Sequence, residues 1–250
     1  MVYEKEIFIS EFIKLAGAAG LDCFGDPEIG ARLHCIAQNL DEQGRRFNLT
    51  AITQPDEVLR KHFIDSLFAA REVQTLLEAD HSQGNTLLDV GSGGGFPSLP
   101  IGVALPLVQV TALDSTAKKI AYIRDTAALC GIENFHTVCT RAEEAGRGEM
   151  RERFAFVTAR AVARLPMLLE LCVPFVQVGG YFIAMKGSSA MEEEQEARRA
   201  AELLSCKLLR VTPYSLPKLD EKRFLLIYRK ISPTSPTYPR GAARIAKKTL

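Results

Sequence analysis

Leu88-Asp89-Val90-Gly91-Ser92-Gly93-Gly94-Gly95-Phe96-Pro97 joins a short apolar run to four glycines and a proline. Thr86 to Val90 reads as a buried strand that Gly91 stops. Pro97 suits the first turn of a helix, where its missing N–H costs nothing. Strand, glycine loop and helix in that order put a ligand site at the carboxyl end of the first strand of an open α/β sheet. Glycine there permits positive φ and lets a ligand reach the backbone. The dinucleotide spacing G-x-G-x-x-G is not met, because Phe96 stands three after Gly93 and Ser98 three after Gly95. The P-loop lysine is missing too.

Further along the chain, strands are expected at Val108–Leu113, Phe135–Cys139, Phe154–Thr158 and Gly180–Met185, with helices at Ala117–Leu129 and Pro166–Phe175. Alternation of this kind predicts a mostly parallel sheet covered on both faces. Lys207–Tyr214 and Arg223–Lys230 read as a terminal antiparallel hairpin, and Glu192–Leu204 as a solvated acidic helix. Upstream, residues 1–80 show only helical periodicity and form a helical N-terminal cap on a core spanning 81–250. Ile29, Leu33, Ile36 and Leu40 share one helical face, and Asp56–Val73 is another amphipathic helix. Arg45–Thr53 between them reads as extended.

The composition of this 250-residue chain, 47% hydrophobic and 24% charged, is ordinary for a globular protein. No apolar run approaches the ~20 residues of a membrane span, and the charged N-terminus lacks a signal-peptide core. A soluble cytoplasmic monomer is the expectation. Six cysteines without a C-x-x-C pair read as buried free thiols. Four scattered histidines give no metal-ligand spacing, so no metal is expected. After Glu221 the chain has eight basic residues and no acidic one, although the totals are nearly balanced at 31 and 30. Such a tail is either a polyanion contact or a solubilising segment.

The glycine pattern that remains, Asp89, Gly91, Gly93 and Gly95, resembles motif I of the Rossmann-like S-adenosylmethionine-dependent methyltransferases. Asp114, 23 residues after Gly91, is placed to accept hydrogen bonds from two ribose hydroxyls, or else to cap the helix near Ala117. Arg141-Ala142-Glu143 follows the third strand, where such enzymes surround the adenine; Glu143 also suits a solvated helix start. Thr158-Ala159-Arg160-Ala161 stands where enzymes that methylate exocyclic amines carry [N/D/S]-P-P-[Y/F], and no Pro-Cys or Thr-Cys nucleophile is present. A ring nitrogen such as guanine N7 has no proton to lose and needs no general base. Alignment in near-attack geometry suffices, and no side chain is assigned to the chemistry beyond positioning.

Phe47-Asn48-Leu49-Thr50, His62-Phe63-Ile64-Asp65-Ser66-Leu67, the glycine loop through Phe96-Pro97, Leu113-Asp114-Ser115 and Lys186-Gly187 together resemble the bacterial small-subunit ribosomal RNA guanine-N7 methyltransferase family, also called glucose-inhibited division protein B. The resemblance covers nearly the whole chain. It implies a Rossmann-like class I methyltransferase, with a seven-stranded sheet, that moves a methyl from S-adenosylmethionine to a guanine N7 in the decoding-region loop of 16S rRNA. It carries cofactor-contacting roles onto Gly91, Phe96, Asp114, Ser115, Thr116, Ala142, Glu143 and Arg160, beside Gly93 and Gly95 of the loop. Arg160 reads as a cleft contact or as a partner for a carboxylate. His62 and Asp65, on one helical face, read as a structural pair. The expected RNA contacts are Arg45, Arg46, Lys118, Lys119, Lys186, Arg223, Arg240 and Lys247. The tail, Tyr238-Pro239-Arg240-Gly241-Ala242-Ala243-Arg244, keeps the family's Y-P-R but loses its later glycine and prolines. The rival readings are a small-molecule methyltransferase, a non-catalytic RNA-binding assembly factor, and a nicotinamide oxidoreductase, which the loop spacing disfavours.

Overall fold

In the strand β1 (Thr86–Val90), Leu87 and Leu88 point to opposite faces and both are wholly buried, so the sheet is covered on both sides. The computed structural model describes residues 4–47, 49–52, 54–80 and 84–250, except the side chains of 45–47. Seven strands form one sheet: β1, β2 (Gln109–Asp114), β3 (Phe135–Cys139), β4 (Phe154–Arg160), β5 (Val176–Lys186), β6 (Cys206–Ser215) and β7 (Lys222–Lys230). Their spatial order is β3-β2-β1-β4-β5-β7-β6. β1 to β5 run parallel, and β7 is antiparallel to both β5 and β6. The order reverses between β1 and β4, which opens a crevice at their carboxyl ends.

One face of the sheet (Leu87, Val110, Phe156, Ile183) shares a core with the N-terminal helices α1 (Lys5–Ala18), α2 (Pro27–Phe47), α3 (Pro55–Val58) and α4 (Asp65–Ala79), and with α5 (Ser98–Ala104) and α6 (Ala117–Leu129). The short α7 (Ala142–Ala145) follows β3. The other face (Leu88, Val157, Phe182, Leu226) packs on α8 (Leu165–Cys172) and α9 (Ala190–Leu203). A short helix, α10 (Ala242–Lys247), ends the chain. Asp26 caps α2 by accepting the Glu28 and Ile29 amides at 2.7 and 3.4 Å, and Pro27 takes the first position.

Three expectations are corrected. α2 continues to Phe47, so the supposed extended segment starts as helix, because an amphipathic face with a good cap carries on through polar residues. The helix after the glycine loop begins at Ser98, with Pro97 at its N-cap rather than in its first turn. The six cysteines are not all buried free thiols: Cys35 of α2 is bonded to Cys130 beyond α6, and Cys23 and Cys139 are exposed. Their Cα atoms, 5.8 Å apart, stand at a normal disulfide span, which spacing along the chain could not reveal.

Candidate active site

The glycine loop turns by left-handed backbone at Gly91, Gly93 and Gly95, with φ of +74°, +58° and +88°. A Cβ on Gly91 would stand 2.6 Å from Cγ2 of Val162, and one on Gly95 would stand 2.4 Å from Cδ1 of Leu99. Gly91 therefore lets the loop pass against the β4–α8 connection, and Gly95 lets it pack on α5. Leu113 of β2 accepts the amides of Gly91 and Ser92 at 2.7 and 3.1 Å, which fixes where the loop leaves the sheet. Asp114 completes the clamp. Its Oδ2 accepts the Gly93 amide at 3.1 Å and its Oδ1 the Thr116 amide at 2.8 Å. The helix-cap reading of Asp114 is not what forms: Thr116 holds the N-cap position of α6, and no side chain caps it.

Above this loop lies a cavity of about 450 Å³. Gly91, Gly93, Phe96, Asp114, Ser115, Thr116, Ala142, Glu143 and Arg160 all line it, together with Leu49, Val162 and Leu171. Gly95 does not; it shapes the loop from behind. A backbone cradle without Cβ atoms, one carboxylate at the end of β2 and apolar side walls suit a nucleoside-bearing cofactor without a pyrophosphate.

One wall of the cavity is built from the segment between the N-terminal helices α3 and α4. Between α3 and α4 the helix widens to a π segment, Leu59–Ile64, an irregularity frequent at functional sites. It aims His62 at the glycine loop, where its ring stacks on Phe96 at 4.5 Å. Nε2 of His62 meets Thr50 Oγ1 at 2.8 Å, and Nδ1 meets Arg160 Nη2 at 3.3 Å. Burial first, and the Arg160 guanidinium second, lower the His62 pKa to about 3. The imidazole is thus neutral, accepting from Arg160 at Nδ1 and donating to Thr50 at Nε2. Arg160 also donates to the Lys61 carbonyl and to Asp65 Oδ2, both at 2.8 Å. Asp65 is fully buried, and its Oδ1 accepts Tyr214 Oη at 2.8 Å and Arg223 Nη1 at 3.3 Å. The expected His62–Asp65 pair is replaced by a shared partner, Arg160, because a buried carboxylate gains more from guanidinium groups than from a neutral ring. After Arg160 the chain turns at Ala161, whose φ of +55° is a costly conformation for alanine and brings Val162 over Gly91.

This buried neutral His62 sets an acid limb of stability. Its pKa falls from 6.5 to about 3 on folding, so below pH 6.5 the unfolded chain takes up a proton that the folded chain refuses. Its share of the unfolding free energy is therefore lost as pH falls, by about 2 kcal/mol at pH 5. Urea titrations between pH 7 and 5 should show this slope in the wild type and a flatter one in His62→Gln. Equal slopes would mean that His62 does not change its pKa on folding.

The sequence profile described as rRNA small subunit methyltransferase G (GidB) matches residues 31–223. The Ribosomal RNA small subunit methyltransferase G of Lactobacillus helveticus is 40% identical over 215 residues, covering 84% of this chain and 87% of that one. The protein of the same name from Acetivibrio thermocellus is 36% identical over 248 residues, 99% of each chain. The chain belongs to the rRNA small subunit methyltransferase G family. Among solved structures, the 16S rRNA (adenine(1408)-N(1))-methyltransferase of Catenulisporales acidiphilia superposes with a TM-score of 0.50 at 14% identity, covering 65% of this chain and 93% of that one. At that identity the likeness speaks for the class I methyltransferase fold alone.

For a member of the rRNA small subunit methyltransferase G family, the placement of basic side chains bears on how RNA is met, and the structure re-sorts them. Lys118 and Lys247 are exposed, and Lys119 is half-exposed at the rim of the cavity. The side chains of Arg45 and Arg46 lie outside the described residues. Three others, read as RNA contacts, hold ion pairs within the fold. Arg240 clasps the wholly buried Glu170 through Nε and Nη2 at 2.8 and 2.7 Å. Lys186 pairs with Glu193 at 2.7 Å and donates to the Ala163 carbonyl at 2.6 Å. Arg223 binds Asp65 and, at 2.8 Å, Glu221. The partners Glu170 of Arg240 and Asp65 of Arg223 are remote in sequence, while Glu193 follows Lys186 in the next helix, α9. Tyr214, Glu170, Glu193 and Val162 were not singled out; the aspartate of H-x-x-D-S-L and the reading of Arg160 as a partner for a carboxylate hinted at this network.

Among the described residues, no helix is long and apolar enough to cross a membrane.

Proposed function

We infer that this chain transfers the methyl group of S-adenosylmethionine to N7 of a guanine in the decoding-region loop of 16S rRNA, acting as a cytoplasmic monomer. The observation that carries this reading beyond the family is the makeup of the reacting end. Its imidazole, His62, is neutral with both ring nitrogens engaged, and the Asp65 carboxylate behind Arg160 is held by two arginines and a tyrosine. Neither is free to take a proton, which suits an acceptor atom that has none to give. When bound, the cofactor supplies an electrophilic methyl on a sulfonium. The chain's part is placement. Asp114 would accept the ribose hydroxyls, Ser115 and Thr116 would flank them, Ala142 and Glu143 would bracket the adenine, and the bare backbone of Gly91 and Gly93 would admit the cofactor closely. Arg160 and Phe96 would border the methyl and the incoming base. Lys118, Lys119 and Lys247, with Arg45 and Arg46, would contact phosphates.

The test is mass mapping of 16S RNA in small subunits from cells lacking this gene, before and after incubation with the protein and S-adenosylmethionine. One methyl gained on one guanine is expected. Tight cofactor binding with no methyl on naked RNA or on subunits would favour a small-molecule acceptor instead.

A further inference from the structure

Beyond Arg160 lies a second cavity of about 240 Å³, which shares Arg160 and Ala161 with the first. It opens at the carboxyl ends of β4 and β5, and Asp65, Lys186, Glu193, Tyr214 and Arg223 enclose it. Its hydrogen-bonding capacity is lopsided. Both oxygens of Asp65 are taken by Arg160, Tyr214 and Arg223. Glu193 is taken by Lys186, by Ser189 at 2.7 Å and by the Leu165 amide at 2.8 Å. The donors are not used up. A guanidinium carries five N–H groups and an ammonium three. Arg160 places its bonds on Asp65, Lys61 and His62, and Arg223 places its own on Asp65 and Glu221. Lys186 has one N–H beyond Ala163 and Glu193, and Nε of Arg223 is buried without a partner. Three cations and two anions line the wall, with Glu221 a further partner of Arg223, so the wall is richer in unused donors than in free acceptors.

Such a wall fits a ligand that brings a hydrogen-bond acceptor. On the proposed reading, a purine enters with N7 toward the first cavity, and N7 must stay unbonded to be alkylated. The neighbouring group is then the one that can be read: O6, an acceptor, in guanine, and the N6 amine, a donor, in adenine. We propose that Asp65 is a positioning residue that holds Arg160 and Arg223 as readers of the 6-oxo group, so that the second cavity admits guanine and rejects adenine. This rests on the guanine-N7 reading above. An adenine there would set an amine against guanidinium donors and leave both unpaired, the kind of mismatch that a polar site rejects most strongly.

The experiment uses small-subunit 16S RNA in which the acceptor guanosine alone is replaced by inosine, which keeps the 6-oxo group, or by 2-aminopurine riboside, which lacks it. For the wild type, kcat/KM on inosine should stay within about threefold of guanosine, and 2-aminopurine should lose roughly ten- to a hundredfold, the worth of a hydrogen bond to a charged group. In Asp65→Asn the guanosine to 2-aminopurine ratio should shrink toward one. A merely structural Asp65 would lower all three rates together and leave the ratio intact, which would overturn its role. Should Asp65→Asn fail to fold, the wild-type ratios still decide about the 6-oxo group. Equal wild-type rates on guanosine and 2-aminopurine would overturn the proposal. So would competition of inorganic phosphate with RNA alongside indifference to the base, which would make the cavity a phosphate site. No methyl on guanosine at all is a different failure, that of the proposed function itself.

Discussion

Asp114→Ala weakens S-adenosylmethionine binding by about a hundredfold or more, the equivalent of ~3 kcal/mol for two hydrogen bonds to a carboxylate. Asp114 is the carboxylate at the carboxyl end of β2, on the floor of the larger cavity. Its other work is to tie the Gly93 amide to the Thr116 amide, so its loss also loosens the loop that the cofactor must lie against. The two effects separate in one pair of measurements. Titration calorimetry reads the affinity, and thermal unfolding without ligand reads the loop. The unfolding change should be the smaller, since water in an open cavity can satisfy the two released amides. Asp114→Asn, which keeps one acceptor oxygen, should fall between wild type and alanine in affinity. An affinity within about threefold of wild type for Asp114→Ala would reduce Asp114 to a loop clamp.

The parts of this molecule that were readable in sequence are those set by short-range rules. Thr86–Val90 and Phe135–Cys139 were placed to the residue, because a run of apolar β-formers between turn residues has few alternatives. The glycine loop was readable for the same reason, since positive φ at Gly91 and Gly95 demands the residue that the sequence shows. What escaped was the identity of the long-range charge partners. Arg160 was readable as a partner for a carboxylate, but that the carboxylate is Asp65, 95 positions away, was not, and nothing local marks the pairing of Arg240 with Glu170 across 70. A basic residue in a basic tail looks solvated until its partner is seen. The π segment was hidden similarly: Asp56–Val73 has an amphipathic pattern that fits a plain helix, and the extra residue per turn shows only in where His62 points.

That hidden pairing gives the other large expected effect. Arg240→Ala should lower stability by about 3–5 kcal/mol, because it leaves the buried Glu170 carboxylate without its cationic partner. Glu170 is fully buried, while both of its oxygens and the Arg240 backbone amide, at 2.8 Å, belong to one bidentate clasp that pins the Tyr238-Pro239-Arg240 turn to α8. Arg151 reinforces the same turn by donating to the carbonyls of Thr234 and Tyr238 at 2.6 and 2.7 Å. For a chain of this size each kcal/mol moves the melting temperature by about 2–4 °C, so a fall of roughly 10 °C is expected. Replacing both partners, as in Arg240→Met with Glu170→Leu, should recover much of the loss, since the cost lies in the unpaired charge rather than in the absence of the pair. A phosphate contact would behave in the opposite way: stability would hold, and the salt dependence of RNA binding would lose about one ion's worth of slope. Calorimetric melting and a salt titration of RNA affinity on the same variant therefore distinguish a tail that is built into the fold from one that reaches for RNA.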